Sequence, residues 1–471
     1  MPVGMLSDVP LQEAVDYAAR DADATLRMYY EISPYLRRHG FDKLMADGME
    51  LLPVFEEMQS EGMPASRSAF QRLSETMDER MNAIQSKISY HYFDGQPFNP
   101  ASPDQVAKIM EERNLKGAKR SKKTGKVSTS KKSIEHYRDK DAAVGLIIDW
   151  REHAKVRDSF CAPVLERIPE GVERMNVRCE IKMTRVHTRR LAAANPNLLA
   201  MPIRNEIGRM VRAGYECAGD EVFGAWDLSQ VEMRVMAGLS KDPLLLKLFS
   251  EIDPATGKLR DPHTETAARM FGIPVSEVDE IKHRLPAKRV AFGVITSITG
   301  AGLYDQLRLA GAGDGWDEDS SDALIKEYFK LYTGVRKYMD ECAREVRRNG
   351  YIKDKWGMVR LLPGIWSNDM RAKAEAERTA SSHVIQGTAQ GMIQNSMRWL
   401  KPHIVTLQDA GCNVKWQLQV HDELIFRFSQ DLWEVMDGLV MEALTEHHGL
   451  NNLGVPITAK GHMAKNWAGL K

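Results

Sequence analysis

Residues 414–428 read VKWQLQVHDELIFRF. Apolar Trp416, Leu418 and Val420 alternate up to His421-Asp422-Glu423, and the chain returns through Leu424, Phe426 and Phe428. A period of two on both sides of a polar tip predicts a hairpin whose hydrophobic flanks hold the tip acids rigid. Upstream, residues 222–234, VFGAWDLSQVEMR, follow the same logic: a strand-like apolar run ends at Asp227, and a helix-like stretch with Glu232 and Arg234 follows. Two strands that end in Asp can bring together carboxylates about 195 positions apart. Two such carboxylates, with phosphate and water, are the hard ligands that Mg²⁺ requires. A pair of such ions about 4 Å apart would clamp the attacking and leaving oxygens of a phosphoryl transfer. Taken alone, each Asp equally fits a turn or a helix N-cap. The HDEL at 421–424 is internal, so it is not a C-terminal retention address.

A third stretch, residues 284–303, reads RLPAKRVAFGVITSITGAGL. Pro286 suits the first turn of a helix, where its missing N–H costs little. Arg284, Lys288 and Phe292 then fall at i, i+4 and i+8 on one face. Two cations beside an aromatic ring suit a triphosphate tail and the base or sugar behind it. An ordinary amphipathic helix with a solvated basic edge has the same pattern.

Around these segments the chain reads as helix-rich. Helical periodicity covers 11–38, then about 41–88 with a Gly-Pro interruption at 61–64, then 262–307, 324–348 and 368–400, while shorter β-like runs begin at Met175 and a hairpin signal spans 351–362. Residues 111–140 carry eleven Lys or Arg against four acids and few large apolar groups, so they read as a solvated loop. That loop either does no more than stay soluble or grips a phosphate backbone. Overall, 65 Lys plus Arg balance 65 Asp plus Glu, so any affinity for a polyanion must come from such local patches. The five cysteines are scattered without a CxxC pair, which argues against a compact zinc site or a disulfide scaffold. No run approaches the roughly 20 apolar residues of a membrane span, and no signal peptide is visible.

In order, VFGAWDLSQVEMR, RLPAKRVAFG and QVHDELIF resemble motifs A, B and C of the family A DNA polymerases. The intervening sequence agrees: FNPASPDQV resembles the thumb segment, TRRLAAANPNLLAMPIRNEIGRMVR the stretch before motif A, DPHTETAARMFG the start of the fingers, and ERTASSHVIQGTAQGMIQ a template-contacting palm helix. The C-terminal VPITAKGHMAKNWAGLK also resembles a family end. The resemblance implies an α+β, helix-rich right-hand fold with an antiparallel-sheet palm. Its divisions would be 1–38 as the end of a 3′–5′ exonuclease domain, 39–165 thumb with a basic tip loop, 166–241 first part of the palm, 242–365 fingers and 366–471 second part of the palm.

Residue by residue, the resemblance makes Asp227 and Asp422 the ligands of two Mg²⁺ ions, which Mn²⁺ can replace, with the Leu228 carbonyl assisting. Glu423 would support the site beside the primer end. Lys288 would bind the triphosphate and protonate pyrophosphate as general acid, and Arg284, His263 and Arg204 would be further triphosphate ligands. Glu232 would pack against the sugar C2′ and exclude a 2′-hydroxyl. Phe292 stands where some relatives carry Tyr, which should handicap dideoxynucleotides. Arg190, Arg378, Gln386, Gln419 and His421 would contact primer and template through minor-groove acceptors, and Lys122, Lys123, Lys131 and Lys132 would hold the duplex backbone. Thr296 and Ser297 depart from the usual Tyr and Gly, removing a stacking face at the templating position, and Leu199 and Ala200 replace common polar groups. Tyr17 and Asp21 in YAARDADAT resemble the last exonuclease motif without the earlier ones, so proofreading is not expected from this chain by itself.

The resulting expectation is a DNA-directed DNA polymerase acting on primer–template DNA and deoxynucleoside triphosphates, monomeric and cytoplasmic, with a separate exonuclease or other replication protein as partner. A catalytically inactive primer–template-binding subunit and a single-subunit RNA polymerase are the alternatives. Retention of Asp227, Lys288 and Asp422 disfavours the first, and the Glu232 gate disfavours the second.

Overall fold

The computed structural model describes residues 9–470 apart from 114, 116–119, 121–124, 203–205, 253–256, 258 and 314, and omits the side chains of Lys132 and His136. Its centre is a four-stranded antiparallel sheet of β5 (Glu221–Leu228), β8 (Val414–Val420), β9 (Glu423–Ser429) and β10 (Ala459–Ala464), in the order β10-β5-β9-β8. The 414–428 hairpin therefore forms as its alternation predicts, and the motif A strand lies beside it rather than at a distance.

Both faces of the sheet are covered at its β8–β9 hairpin, where nearly every residue is buried. Trp226, Trp416, Phe426 and Phe428 face one core, while Phe223, Ala225, Leu418, Val420 and Ile425 face another. The switch between Trp416 and Leu418 is a register irregularity: Trp416 pairs with Phe426 but Leu418 with Ile425, leaving Gln417 as the extra residue. On the first face Trp226 stacks on Trp433 at 5.4 Å, inside α14 (Trp433–Thr445). Gly224 makes room for these rings, because a Cβ there would lie 2.5 Å from Trp226 Cη2 and 2.6 Å from Phe428 Cε1.

The helices before the sheet are α1 (Leu11–Arg38), α2 (Asp42–Glu61), α3 (Arg67–Tyr92), α4 (Pro103–Glu112) and α5 (Ala142–Val156). Short strand pairs β1 (Met63–Ser66) with β2 (Arg174–Val177), and β3 (Glu180–Lys182) with β4 (Ala192–Ala194), join them to the sheet side. The FNPASP segment at 98–103 caps the next helix, Ser102 accepting from the Gln105 backbone N–H at the start of α4. α3, α4 and α5 enclose a core of their own built on Ile88, Phe98, Val106, Met110, Ile147 and Ile148.

After α6 (Glu206–Ala213) and the motif A strand come α7 (Val231–Ser240), α8 (Pro262–Phe271), α9 (Leu285–Ile295), α10 (Gly300–Leu309), α11 (Glu318–Leu331) and α12 (Thr333–Asn349). The helix expected over 262–307 is thus three helices. Gly272, at φ 66°, ends α8; Ser297, at φ 53°, follows α9; and Thr299 caps α10 by accepting from the Gly302 N–H. The expected 324–348 helix breaks at Tyr332, whose hydroxyl lies 2.7 Å from Thr266 Oγ1 on α8. The hairpin expected at 351–362 is β6 (Tyr351–Lys353) with β7 (Val359–Leu361). The last long helix, α13 (Met370–Asp409), outruns its expected end by nine residues. Its Ile385, Ala389, Met392, Ile393, Met397 and Leu400 seat it in the core shared with the sheet.

Candidate active site

Strand β5 delivers Asp227 into register with Glu423 of β9, and the Leu228 N–H donates to the Asp422 carbonyl at 3.1 Å. Asp422 occupies a two-residue turn with His421, closed by the Val420–Glu423 pair. Tight hairpins of this kind need a residue of positive φ, and His421 supplies it at 59° despite carrying a side chain. Behind the turn, Gln419 Nε2 donates to the His421 carbonyl at 2.7 Å, and its amide pairs reciprocally with that of Gln390 at 3.1 and 3.3 Å. Both amides are buried, so each satisfies the other and braces the turn. The two motif acids thus share one sheet end. Among the described residues no three His, Cys, Asp or Glu side chains converge as a complete metal cage. Two carboxylates and a backbone carbonyl are an incomplete oxygen donor set, one that suits a hard divalent ion whose other ligands come from substrate and water.

α7 starts beyond Gln230, at φ 56°, and presents Glu232 in its first turn. Arg190 forms a hydrogen-bonded ion pair with Glu232. Burial pushes the Glu232 carboxyl above its ordinary range, Arg190 opposes this, and the neighbouring charge of Asp422 adds to it. Arg190, Val231, Gln390, His421 and Asp422 line one small cleft.

The second group lies on α8 and α9, the latter packed against α7. Pro286 sits in the first turn of α9, as expected. His263 is buried and stacks near Phe292, with ring centroids 5.4 Å apart. Burial lowers the imidazole to about 4; the Asp261 carboxylate opposes this, and Lys288 and Arg284 add to it. His263 is therefore neutral near pH 7 and offers an N–H rather than a charge. Arg284 lies just before α9, donating to Asp261 at 2.7 Å and to Glu280 at 2.8 Å. Asp261 in turn is held at about 2: burial works against this, but the hydrogen bonds from Arg284 and Thr264 outweigh it.

Further out, Arg378 and Gln386 lie on α13, with Arg378 paired to Glu375 at 2.7 Å. Lys131 is engaged by Glu152. Tyr17 and Asp21 sit one turn apart on α1, and the Tyr17 hydroxyl is raised by its hydrogen bond to Asp21. Arg204, Lys122 and Lys123, with the side chain of Lys132, lie outside the described residues. Two members of the site escaped the sequence reading. Gln390 is one, and its signal was available, since it stands four residues beyond Gln386 on the same helical face. Asp261 is the other, and it reads as a plain N-cap until the fold brings Arg284 to it.

The defining pattern of DNA polymerase family A matches residues 67–469. The chain belongs to DNA polymerase family A. Curated relatives include DNA polymerase I of Rhizobium leguminosarum, 31% identical over 98% of this chain and 44% of that protein. The thermostable DNA polymerase I of Thermus filiformis is 30% identical over 97% of this chain and 52% of that protein. This chain thus spans about half the length of the family A relatives it matches. Among solved structures, the polymerase domain of Pol1 from M. smegmatis, in complex with DNA primer-template and dNTP, superposes with a TM-score of 0.83 at 24% identity. That match covers 95% of this chain and 75% of that one. The expected right-hand α+β polymerase fold is therefore the observed one. No helix among the described residues is long and apolar enough to cross a membrane.

Proposed function

We propose that this chain is a template-directed DNA polymerase that adds deoxynucleoside triphosphates to a primer 3′ end, within the thumb, palm and fingers divisions given above. The observation that carries the reading is the meeting of Asp227 and Asp422 at one sheet end, beside the Arg190–Glu232 pair. Asp227, Asp422 and the Leu228 carbonyl would hold Mg²⁺, or Mn²⁺ in its place, and Glu423 would support them from the paired position on β9. Two such ions, when bound, supply Lewis acidity to the 3′-hydroxyl and neutralise the departing pyrophosphate.

The remaining work falls to side chains. Lys288 and Arg284 meet the triphosphate as cations, and Lys288 can return a proton to the leaving pyrophosphate. His263 donates an N–H to a phosphate oxygen without adding charge. Glu232, fixed by Arg190, leaves no room at the sugar C2′ for a hydroxyl, and Phe292 offers its ring to the sugar or base. Arg190, Gln386, Gln419, His421 and Arg378 would test the shape of the nascent pair and position the template, while the 111–140 loop would follow the duplex backbone.

The test is primer extension by Asp422→Ala in Mg²⁺. Extension should fall by at least about 10³-fold, with primer–template affinity within a few fold of wild type. Equal activity would remove Asp422 from the metal site. Absence of extension by the wild-type chain, with DNA binding intact, would favour the inactive-subunit reading.

A further inference from the structure

Next to Arg190 stands Arg189, and the two arginines diverge. Arg189 has φ 61°, a left-handed conformation that a side-chain-bearing residue adopts only when its surroundings fix it. Its Nη2 donates to Asp354 Oδ2 and to the Gly387 carbonyl, each at 3.1 Å. The Asp354 side chain is fully buried and that of Arg189 is 15% exposed. Asp354 belongs to the turn between β6 and β7. Its other carboxylate oxygen accepts the backbone N–H groups of Trp356 and Met358, both at 2.9 Å. Trp356 then donates through Nε1 to the Thr388 carbonyl at 2.8 Å.

α13 is shaped to receive this assembly. A Cβ on Gly387 would fall 2.6 Å from Asp354 Oδ2, and one on Gly391 would fall 2.1 Å from Trp356 Nε1 and 2.7 Å from Arg189 Nη2. Three segments far apart in sequence therefore converge: the stretch through Arg189 and Arg190 that leads into β4, the β6–β7 turn, and the turn of α13 that carries Gln386 and Gln390. A buried ion pair is a poor source of stability, because desolvation consumes most of its attraction. What it does supply is a defined geometry, because one guanidinium nitrogen, Nη2, bridges a carboxylate and a carbonyl.

We infer that the Arg189–Asp354 pair is a positioning device for the Arg190–Glu232 gate, setting how strictly the sugar pocket refuses a 2′-hydroxyl. With Arg189 anchored to the β6–β7 turn and α13, the peptide unit between residues 189 and 190 is fixed, and the Arg190 side chain starts from one place toward Glu232. The side-chain hydrogen bonds of Arg189 run to Asp354 and Gly387, not to Glu232. Arg189 acts through Arg190, and the inference rests on the polymerase reading above.

The test uses Arg189→Gly combined with Asp354→Asn. Glycine adopts φ 61° without strain, and asparagine removes the buried charge that would otherwise be stranded. Selectivity, the ratio of kcat/KM for a deoxynucleotide to that for its ribonucleotide, should fall by about tenfold. The same pair of substitutions in a Glu232→Ala background should change selectivity by less than about twofold, because the gate is already gone. Wild-type selectivity in a folded double variant would overturn the inference. So would an equal fractional loss in the Glu232→Ala background, which would mark general damage. Should the double variant fail to fold, Arg189→Lys keeps the charge but ends one bond short of the Nη2 position, so it does not reach both acceptors as Arg189 does. It should lose about threefold in selectivity, and an unchanged ratio there would overturn the inference too. If the wild-type chain does not extend a primer, the polymerase reading fails first, before any variant is compared, and the inference falls with it.

Discussion

Buried His263 makes the fold lose stability in acid. Burial holds its imidazole at about 4 against an ordinary value of 6.5. A base whose folded pKa is depressed is neutral in the folded state while the unfolded chain takes up a proton, so folding loses stability as pH falls from 6.5 toward 4 and keeps it above 6.5. At about 1.4 kcal/mol per pKa unit, the full loss is roughly 3 kcal/mol below pH 4. At pH 5.5 it is already about 1.4 kcal/mol. His263→Gln keeps a neutral polar group and does not titrate. Urea unfolding of both proteins at pH 8.0 and pH 5.5, followed by tryptophan fluorescence, isolates the difference. His383 and His448, also lowered by burial, are present in both proteins and cancel. Wild type should lose about 1.4 kcal/mol more than the variant over that interval. Equal losses would mean that His263 is not held neutral, and its proposed role as an uncharged triphosphate donor would go with that.

Three further outcomes are expected. Glu232→Ala should admit ribonucleotides, raising their kcat/KM relative to deoxynucleotides by about tenfold or more in single-nucleotide extension; unchanged discrimination would refute the gate. Replacing Lys122, Lys123, Lys131 and Lys132 by Ala should flatten the slope of log affinity against log salt for primer–template by up to about 0.9 per lost phosphate contact, and an unaltered slope would return that loop to mere solubility. Gly224→Ala drives a methyl into Trp226 and Phe428 and should cost about 1–3 kcal/mol of stability; a thermal midpoint equal to wild type would show that the aromatic layer yields.

What could be read from the sequence was local. The β8–β9 hairpin was legible because its period-two pattern brackets a polar tip, and Asp227 because an apolar run stops at it. Arg284, Lys288 and Phe292 were legible as a helical spacing, although Arg284 lies just before α9 rather than inside it. The overrun at 262–307 has a physical reason. Ala, Leu and Val keep a helical period through positions where Gly272 and Ser297 take positive φ, and periodicity does not register a single backbone torsion. Gln417 is similar: an inserted residue in a strand moves every later side chain to the other face without altering composition.

The unread remainder consists of pairings between distant residues: Arg190 with Glu232, Gln390 with Gln419, Arg284 with Asp261, and Arg189 with Asp354. These bear on the charge states of the motif residues, and they change what the proposed triphosphate pocket is. On sequence it holds four basic groups, Lys288, Arg284, His263 and Arg204. In the fold His263 is neutral, and Arg284 already has Asp261 and Glu280 as partners. On the proposed reading, an incoming triphosphate must draw Arg284 away from two carboxylates. Arg284 and Asp261 remain 25% and 38% exposed, so that pair is worth no more than about 1 kcal/mol. A polyphosphate offers several charge-assisted bonds in exchange. On the proposed reading Asp261 thus costs little affinity while holding Arg284 in place just before α9, so less side-chain freedom is lost when a triphosphate binds.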